Sequence, residues 1–432
     1  MSTTTPAGEH FRKRSTIHAP ASTLFAWHAR PGAFERLTPP WAPVRVVARV
    51  PGTDGGSITG RARVTLDVPV VRIPFLGAVS TRWIVEHRDY LEGRQFRDVQ
   101  IAGPRLDRLF AYRHTVTAAD LERHESFAER GTLKVAITGA TGLIGRALVP
   151  FLTTGGHEVT RLVRRRDALA PGDTYWNPER GEIDAAALDS VDAVINLAGE
   201  TLSERWTPAH KRAIRDSRVK GTALLARTLA GLPNPPKVFI SVSAVGYYGD
   251  GGDRILDESS PAGTDFLATV ARDWEAAAEP AAQRGIRVVH PRMGVVLAAH
   301  GGILERLLPP FKLGMGGKLG SGAQWMSWIA LDDLIGALHF LLFTPSLSGP
   351  VNVTSPNPVT NAGLAKTLGH VLGRPAIAAV PSLVLKLTFG EMADTMLLAG
   401  QRVLPRKLEA AGFEFRHPKL EEALRWELGK GA

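Results

Sequence analysis

The chain of 432 residues contains no cysteine, which excludes disulfide bonds, thiolate metal sites and cysteine nucleophiles. Long apolar runs are missing as well. Residues 337–343 form one of the longest, whereas a bilayer-spanning helix needs roughly 20 apolar residues. The N-terminus, MSTTTPAGEHFRKRST, lacks the apolar core of a secretory signal. We therefore expect a cytoplasmic protein with no membrane span.

The excess of positive charge does not by itself indicate a nucleic-acid partner. The chain has 52 basic and 42 acidic residues, a net charge of +10. In the first third of the chain the arginines are spread singly along predicted strands, and the longest basic run is Arg12-Lys13-Arg14. Nucleic-acid binders cluster basic side chains or interleave them with aromatic ones. We expect no nucleic-acid partner, and the positive field favours an anionic cofactor instead.

The segment KVAITGATGLIG at residues 134–145 predicts a nucleotide-binding βαβ unit. A short β-branched run precedes three glycines at intervals of three, and an apolar-faced helix follows them. Such glycines permit a sharp turn, let backbone amides approach a diphosphate, and allow a helix to pack closely on a strand. The cofactor-binding residues expected here are Gly139, Thr141, Gly142, Leu143, Ile144 and Gly145.

Composition and periodicity divide the chain into several units. From residue 133 onward, strands predicted at 134–138, 158–163, 193–197, 237–241 and 287–293 alternate with helices, which predicts a doubly wound parallel sheet. The fold class is therefore α/β, with a small C-terminal α-rich lobe and an added N-terminal α+β unit. The predicted parts are 1–10 (a disordered tail), 11–117 (the α+β unit), 118–132 (a polar linker), 133–355 (the parallel sheet, with substrate-side elements at 301–330) and 356–432 (the helical extension).

The end of the second strand of the sheet predicts which dinucleotide binds. In a Rossmann unit this position faces the adenosine ribose, where an acid accepts from the 2′-hydroxyl and an arginine accommodates a 2′-phosphate. The chain has Arg164, Arg165 and Arg166 here, and no acid before Asp167. We expect NADP(H) rather than NAD(H), with Arg164 and Arg165 at the phosphate. The alternative is that one or two of these arginines merely end the strand in solvent.

Several motifs resemble the short-chain dehydrogenase/reductase superfamily, in its extended or atypical branch: TGATGLIG at 138–145, VINLAGE at 194–200 and FISVSAVGYYG at 239–249. The stretches 291–297, 317–334 and 412–424 sharpen the resemblance to the NAD-dependent epimerase/dehydratase-like "epimerase family protein" group, whose members carry a C-terminal extension. The resemblance covers about residues 134–428. It implies further cofactor contacts at Leu197, Ala198, Gly199, Ser241 and Met293.

Residues 11–117, with a strand predicted at 11–18 and a final helix predicted at 106–114, resemble the START-like (polyketide cyclase-like) helix-grip fold. In that fold a curved sheet wraps a long helix around an apolar cavity. The stretch FAWHARPGAFERLTPPW at 25–41 is similar to the N-terminal unit of some bacterial members of the same group. The chain departs from this pattern after residue 101, where two further strands are missing. We expect a shortened grip. A vestigial packing or dimerisation domain, a homodimer included, and a pocket for an apolar ligand both stay open.

The resemblance implies a serine that orients the substrate oxygen and a tyrosine that transfers a proton. A phenol with a pKa near 10 is a poor base at neutral pH unless a cation, the lysine of a YxxxK motif, stabilises the phenolate. Ser243 fits the serine role, but the chain contains no YxxxK. Tyr247 and Tyr248 are the candidate replacements, because they follow Ser243 at the carboxyl end of a strand. The alternative is that they only pack against the nicotinamide or the pocket wall.

The remaining candidates belong to the substrate side. They are Glu200, Arg218, Arg292, Trp325, Ser327 and Trp328, with Arg218 either structural or pocket-lining. Asp332 and Asp333 predict a helix N-cap. The histidines show no metal-ligand spacing, so no metal is expected.

The expected function is that of an NADP(H)-dependent oxidoreductase or epimerase-like enzyme acting on a hydroxyl/carbonyl pair of a small-molecule substrate, with nucleotide sugars among the candidates. Two alternatives stay open. Without the Tyr–Lys pair, the chain could be a cofactor-binding regulator or scaffold, since members of the group are also described as cell-division regulators. The N-terminal unit could instead deliver an apolar ligand to the Rossmann pocket.

Overall fold

The structure, a computed structural model, describes residues 15–42, 45–50, 63–73, 77–91, 95–102 and 107–430. The backbone divides into two compact units, and each is described by itself. The first comprises Met1–Ala128 with Thr153–Gly156, and the second comprises Glu129–Leu152 with His157–Ala432. The predicted tail at 1–10 lies outside the described residues.

The first unit combines helices with an antiparallel meander. Its elements are α1 (Ala21–Ala29), α2 (Ala33–Arg36), β1 (Arg45–Val50), β2 (Arg63–Ile73), β3 (Gly77–Leu91), β4 (Gln95–Ala102) and α3 (Asp107–Glu125). The four strands pair in sequence order. A strand predicted at 11–18 falls partly outside the described residues, and residues 15–18 are not in a strand.

Helix α3 extends eleven residues beyond its predicted end at 114, through the first part of the predicted linker. The polar composition there is misleading because the helix keeps a buried stripe: Val116 and Leu121 are 1% and 6% exposed. Asp120 is fully buried and accepts two hydrogen bonds from Arg36, at 2.7 and 2.8 Å. The boundary between the two units follows Ala128, inside the predicted linker but after the helix.

The second unit contains a nine-stranded sheet of Rossmann type. Its strands are β5 (Lys134–Thr138), β6 (Glu158–Val163), β7 (Thr174–Asn177), β8 (Glu182–Ile183), β9 (Ala193–Asn196), β10 (Val238–Ser241), β11 (Ser243–Ala244), β13 (Arg287–Met293) and β17 (Gly349–Val353). The helices that alternate with them are α4 (Leu143–Thr154), α5 (Pro208–Ala230), α6 (Phe266–Ala276), α7 (Glu279–Gln283) and α9 (Leu331–Phe343).

The strand order of this sheet creates a crevice for a ligand. Across the sheet the order is β8-β7-β6-β5-β9-β10-β13-β17, with β11 beside the end of β13. Neighbours are parallel except for the antiparallel pair β7 and β8. The order reverses between β5 and β9, and ligands of such sheets bind beyond the carboxyl ends of the strands at this switch point. The predicted parallel sheet is confirmed, whereas the β7–β8 hairpin was not predicted.

Short strands and helices complete the second unit. They are β12 (Ile255–Leu256), β14 (Val295–Leu297), α8 (Gly302–Lys312), β15 (Trp325–Met326), β16 (Trp328–Ala330), β18 (Val359–Thr360), α10 (Asn361–Leu372), α11 (Ser382–Phe389), a π-helix (Ala393–Leu398), β19 (Arg402–Val403), α12 (Arg406–Ala410) and α13 (Leu420–Glu427). Within the described ranges, no helix has both the length and the apolar character required to cross a bilayer.

The first turn of α9 fastens the C-terminal tail, which corrects the predicted N-cap role of its two aspartates. The N-cap is Ala330, and both Asp332 and Asp333 lie inside the helix and are buried. Asp333 accepts hydrogen bonds from the amides of Arg416 and His417 at 2.7 and 2.9 Å. Asp332 accepts one from the indole of Trp426 at 2.9 Å. Both carboxylates therefore bind residues of the C-terminal tail and do not cap the helix.

Candidate active site

The glycine turn between β5 and α4 leaves no room for side chains at two positions. Gly139 has φ +66°, and a Cβ there would lie 2.8 Å from the carbonyl carbon of Leu197. A Cβ at Gly145 would lie 2.4 Å from the carbonyl oxygen of Gly139. Thr141 and Gly142 are exposed, just before the first amides of α4, which have no partner within a helix. An anionic diphosphate fits this turn.

A buried polar network joins the turn to the neighbouring strand and helices. The Thr138 hydroxyl donates to Asn196 Oδ1 at 2.6 Å and accepts from the amide of Leu197 at 3.1 Å. The Asn196 side-chain amide donates to the Thr222 hydroxyl on α5, which also accepts from the indole of Trp274 on α6. The network fixes the ends of β5 and β9, where the crevice lies. The polar residues at the ends of these apolar strands were the signal that the sequence reasoning overlooked.

The three arginines after β6 have different surroundings. Arg165 is exposed and forms a bidentate ion pair with Asp167, which raises the pKa of Arg165. Arg166 lies 3.8 Å above the ring of Tyr175. Arg164 is exposed and, among the described residues, has no ion-pair or hydrogen-bond partner. Arg164 is therefore the guanidinium best placed to receive a phosphate, because the guanidinium of Arg165 is already paired with Asp167.

Gly199, after β9, makes room for a cation. A Cβ at this position would lie 3.1 Å from Cζ of Arg218. The Arg218 side chain donates to the carbonyl of Ile214 at 3.0 Å, and its guanidinium lies 5.2 Å from the ring centre of Trp274. Burial lowers the pKa of Arg218 to about 10, and the negative charge of Glu200 acts in the opposite direction. The structure thus brings together Gly199, Glu200 and Arg218.

A buried ion pair occupies the region where the Tyr–Lys pair is missing. Arg292 on β13 binds Glu275 on α6 with two hydrogen bonds of 2.8 Å, and the two side chains are 3% and 13% exposed. The Ser243 hydroxyl donates to the same carboxylate at 2.7 Å. With its proton directed at Glu275, Ser243 presents its lone pairs to other groups. Glu275 was missed by the sequence reasoning, because nothing in the helical stretch around it distinguishes it from a solvated acid.

The two tyrosine rings are in edge-to-face contact with each other, and both lie near the Arg292 guanidinium. The Tyr247 ring is half-buried, with its centre 3.4 Å from Cζ of Arg292. Tyr248 is 3% exposed; its hydroxyl donates to Asn352 at 2.7 Å and accepts from Arg292 at 3.1 Å. Burial raises the pKa of Tyr248 to about 12, although Arg292 acts to lower it. The fold thus brings a cation, Arg292, to tyrosines that have none nearby in sequence. Tyr248 nevertheless remains a poor proton acceptor at neutral pH.

Ser241 ends β10 beside this cluster and is fully buried. Its hydroxyl has no hydrogen-bond partner among the described residues. An unsatisfied buried hydroxyl costs about 1–3 kcal/mol, so a ligand or water that bonds to it would remove this cost. Met293 is half-buried at the end of β13, where it pairs with Ala244. Leu197 and Ala198 form the backbone against which the glycine turn packs.

Two of the three predicted substrate-side residues after residue 320 lie in the core. Trp328 is fully buried and its indole donates to the carbonyl of Asn357 at 2.9 Å. The Ser327 hydroxyl donates to the carbonyl of Gln401 and accepts from the amide of Val403, both at 2.8 Å. Both side chains are buried, and their hydrogen bonds connect the segment at the start of β16 to residues 357, 401 and 403.

Trp325 is half-buried, and it lies on the exposed side of the same region. Its indole donates to Asp253 at 2.9 Å, and Arg402 lies 4.3 Å from the ring centre. Of the three residues, Trp325 alone keeps part of its ring accessible. Trp325 is therefore the member of this group that a substrate could contact.

The first unit has a cavity of about 500 Å³ between the segment at 16–23 and the end of α3. Its walls combine apolar residues such as Ile17 and Leu121 with Glu122 and Glu125. This cavity differs from the predicted space between sheet and helix. Most side chains of the meander lie outside the described residues, so the predicted apolar pocket stays a prediction.

Comparison with known proteins agrees with the geometry of the second unit. Residues 135–353 match the family described as "NAD dependent epimerase/dehydratase family". Residues 380–427 match a domain of unknown function, DUF1731. An epimerase family protein of Mycobacterium bovis is 48% identical over 291 residues, which cover 67% of this chain and 96% of the relative.

Two solved structures are also similar. The nucleoside-diphosphate sugar epimerase of Corynebacterium glutamicum has a TM-score of 0.75 and 34% identity, covering 96% of this chain and 89% of that one. Human epimerase family protein SDR39U1, solved with NADPH, has a TM-score of 0.63 and 37% identity, covering 69% of this chain and 100% of that one. The chain therefore belongs to the NAD dependent epimerase/dehydratase family.

Proposed function

We propose that the chain is an NADP(H)-dependent oxidoreductase or epimerase-like enzyme that acts on a hydroxyl/carbonyl pair of a small molecule, with nucleotide sugars as the first class to test. The observation that carries the proposal is the glycine turn, where a Cβ at Gly139 or Gly145 would collide with backbone. Membership of the family and the NADPH in the human relative support it.

Residues around the crevice divide the binding of the cofactor between them. In this proposal the exposed turn at Thr141 and Gly142, with the leading amides of α4, holds the diphosphate. Arg164 receives the 2′-phosphate, because its guanidinium has no competing acid among the described residues. The nicotinamide, when bound, supplies hydride transfer.

Ser243 orients the reacting hydroxyl of the substrate in this scheme. Its own proton is directed at Glu275, and Arg292 holds that carboxylate with two hydrogen bonds. Ser243 therefore accepts a hydrogen bond from a substrate hydroxyl. The arrangement favours binding of the alcohol form over the carbonyl form.

Tyr247 is the better candidate for proton transfer. Its ring faces Arg292 at 3.4 Å, and its burial is incomplete. The hydroxyl of Tyr248 is already engaged by Asn352 and Arg292, and its pKa is about 12. A group with that pKa exchanges protons inefficiently near neutral pH.

Turnover of the dinucleotide tests the proposal. Purified protein is incubated with NADP⁺ and a panel of alcohols and nucleotide sugars, and NADPH formation is followed by absorbance. We expect turnover with at least one panel member and a loss of about 10²-fold or more in Ser243→Ala. Binding of NADPH without turnover of any panel member would contradict the enzymatic part of the proposal.

The preference for NADP(H) has its own test. Replacing Arg164 by Ala removes the phosphate partner, whereas Arg180→Ala removes an exposed arginine from the β7–β8 turn. We expect Arg164→Ala to weaken NADPH about tenfold with little effect on NADH, and Arg180→Ala to change neither. Equal affinities of the wild type for NADPH and NADH would contradict the assignment.

A second function is favoured by the missing Tyr–Lys pair and by the raised pKa of Tyr248. In this alternative the chain is a regulator or scaffold that binds NADP(H) without turnover. Affinity purification from cell extract in NADPH and in NADP⁺ distinguishes the two. Partners that depend on the redox state would support regulation, and identical partners in both states would argue against it.

We also propose that the first unit is a shortened START-like domain. The support is its four-stranded antiparallel meander followed by the long helix α3. A fluorescent fatty acid or isoprenoid probe tests whether it takes an apolar ligand. Saturable binding to the full chain would support this use, and absence of binding would leave packing as the role.

A further inference from the structure

Arg218 lies on the side of α5 that faces the crevice, one turn closer to its mouth than the buried network. Thr222, four residues later on the helix, is bonded to Asn196 at the carboxyl end of β9. Since α5 runs back from that edge of the sheet, Arg218 lies about one helical turn, roughly 5 Å, beyond the strand end. This is the level at which ligands of such sheets bind.

The guanidinium of Arg218 is confined without being neutralised. One side lies against Gly199, where a Cβ would be 3.1 Å from Cζ, and Trp274 provides the cation–π contact at 5.2 Å. Its Nη1 donates a hydrogen bond to a neutral group, the carbonyl of Ile214. Among the described residues no carboxylate lies within 4 Å of it, so it lacks an ion-pair partner, and the charge of Glu200 acts on it from farther away.

A partly buried cation without an ion-pair partner is stabilised when an anion pairs with it. The arginine fork matches the two oxygens of a carboxylate or phosphoryl group. Two nearby arginines are different: Arg215 on α5 is paired with Asp273, and Arg292 in the crevice is paired with Glu275. Arg218 also makes no hydrogen bond to the buried network of Thr138, Asn196, Thr222 and Trp274, whose members bond to one another.

From this we infer that Arg218 binds an oxyanion, a carboxylate or phosphoryl group, of the ligand that reacts in the crevice. The inference deepens the proposed function, on which it rests, by restricting the substrate to hydroxyl or carbonyl compounds with a negatively charged substituent. Gly199 contributes to this site because it leaves room for the guanidinium, which any larger residue would displace.

The test uses inorganic pyrophosphate as the anion and the full chain saturated with NADP⁺, so that the glycine turn is already filled. Thermal unfolding is compared in pyrophosphate and in sodium chloride of equal ionic strength. At ten times its dissociation constant, a bound anion raises Tm by about 2 °C in a chain of this size. We expect this rise in the wild type and in Arg212→Met, an exposed arginine of α5, and its loss in Arg218→Met.

A stability readout separates this role from a structural one. If Arg218 serves a ligand, Arg218→Met unfolds in chloride at the wild-type temperature or above, since an unpaired charge has been removed. A fall of several degrees in chloride, a pyrophosphate-dependent rise that survives in Arg218→Met, or no rise in the wild type would each overturn the inference.

Calorimetry with NADPH identifies the source of the oxyanion. An affinity of Arg218→Met for NADPH within about twofold of wild type assigns the oxyanion to the substrate, as inferred. A loss of tenfold or more assigns it to the dinucleotide and overturns the restriction on the substrate. If the wild type binds no NADPH, the proposed function fails, and the pyrophosphate comparison on cofactor-free protein still decides the role of Arg218.

Discussion

Arg292 determines the geometry of the crevice at the scale of single residues. It holds Glu275 with two hydrogen bonds, donates a third to Tyr248, and lies against the ring of Tyr247. Removing one partner of such a buried pair leaves an unpaired charge and typically costs about 3–5 kcal/mol. The cluster therefore couples the orientation of Ser243 to the stability of the fold, and its members should not be read as catalytic from activity loss alone.

The two adjacent tyrosines provide a matched pair of substitutions. Tyr248→Phe deprives Asn352 Oδ1 of its donor and one Arg292 N–H of its acceptor, so we expect it to destabilise the protein by about 1–3 kcal/mol. Tyr247→Phe removes a hydroxyl that has no hydrogen-bond partner in the described part of the chain, so its stability should stay within about 0.5 kcal/mol of wild type. Urea denaturation measures both, and equal losses would contradict the assignment. If Tyr247 transfers the proton, its variant alone loses turnover while remaining folded.

Glu427 makes stability depend on pH. Burial raises its pKa to about 8; the charge of Asp332 adds to the effect, and the hydrogen bond from the amide of Ala299 opposes it. The folded protein therefore keeps this proton at pH values where the unfolded chain has lost it. The contribution to stability is complete below about pH 4.5 and is lost as the pH rises towards 8.

Replacing this carboxyl by an amide tests the sign of that dependence. We expect Glu427→Gln to lose less stability than the wild type between about pH 5 and pH 8, because the amide does not titrate. Glu422→Gln, an exposed position on the same helix, should follow the wild type. Denaturant midpoints at several pH values measure the difference, and parallel curves for wild type and Glu427→Gln would contradict the assignment.

The elements of the sheet could be predicted where one period governs a whole segment. The strands at 134–138, 158–163 and 287–293 have the predicted bounds, because each is a short apolar run followed by a turn. The hairpin of β7 and β8 was not predicted, since strands of four and two residues are too short to show a period. Helix α3 was predicted too short because its buried Asp120 looks like a surface acid.

The candidate site was predictable only in its local part. The glycine turn and Ser243 follow from contiguous motifs. Glu275 and Arg292, in contrast, are 17 residues apart in the sequence and meet because a helix packs beside a strand. The resemblance implied Ser327 and Trp328 on the substrate side, and their burial depends on hydrogen bonds to residues far along the chain. Contacts between side chains of different elements depend on the tertiary structure, and the pattern of a single sequence does not predict them.

The network that joins β5, β9, α5 and α6 gives a prediction at the scale of elements. Thr222→Val keeps the shape of the side chain but leaves the Asn196 amide and the Trp274 indole without their acceptor. Each orphaned donor costs about 1–3 kcal/mol. Thr228→Val, two turns later on α5, is the control and should be nearly neutral. Chemical denaturation measures both, and a neutral Thr222→Val would show that the network does not hold these elements together.

At the scale of the whole molecule, relatives differ in how much of this chain they match, and the Corynebacterium glutamicum structure covers 96% of it. The human relative matches 68% of this chain and 99% of its own length, so in that protein the matched part exists without a counterpart of the first unit. We therefore expect a fragment of residues 129–432 to bind NADPH within about threefold of the full chain, a difference of less than 1 kcal/mol. A soluble, folded fragment without affinity would show that the first unit contributes to the cofactor site.

The measurement that tests the central claim most directly is calorimetric titration of NADPH into the full chain and two glycine variants. Gly139 and Gly181 have nearly the same left-handed backbone, φ +66° and +68°, but only at Gly139 would a Cβ meet neighbouring atoms within 4 Å. The strain of alanine in this conformation, about 1–2 kcal/mol, is thus common to both variants. We predict saturable binding by the wild type and by Gly181→Ala, and loss of binding in a folded Gly139→Ala. Undiminished binding by Gly139→Ala, or no binding by the wild type, would contradict the claim that a dinucleotide binds at this turn.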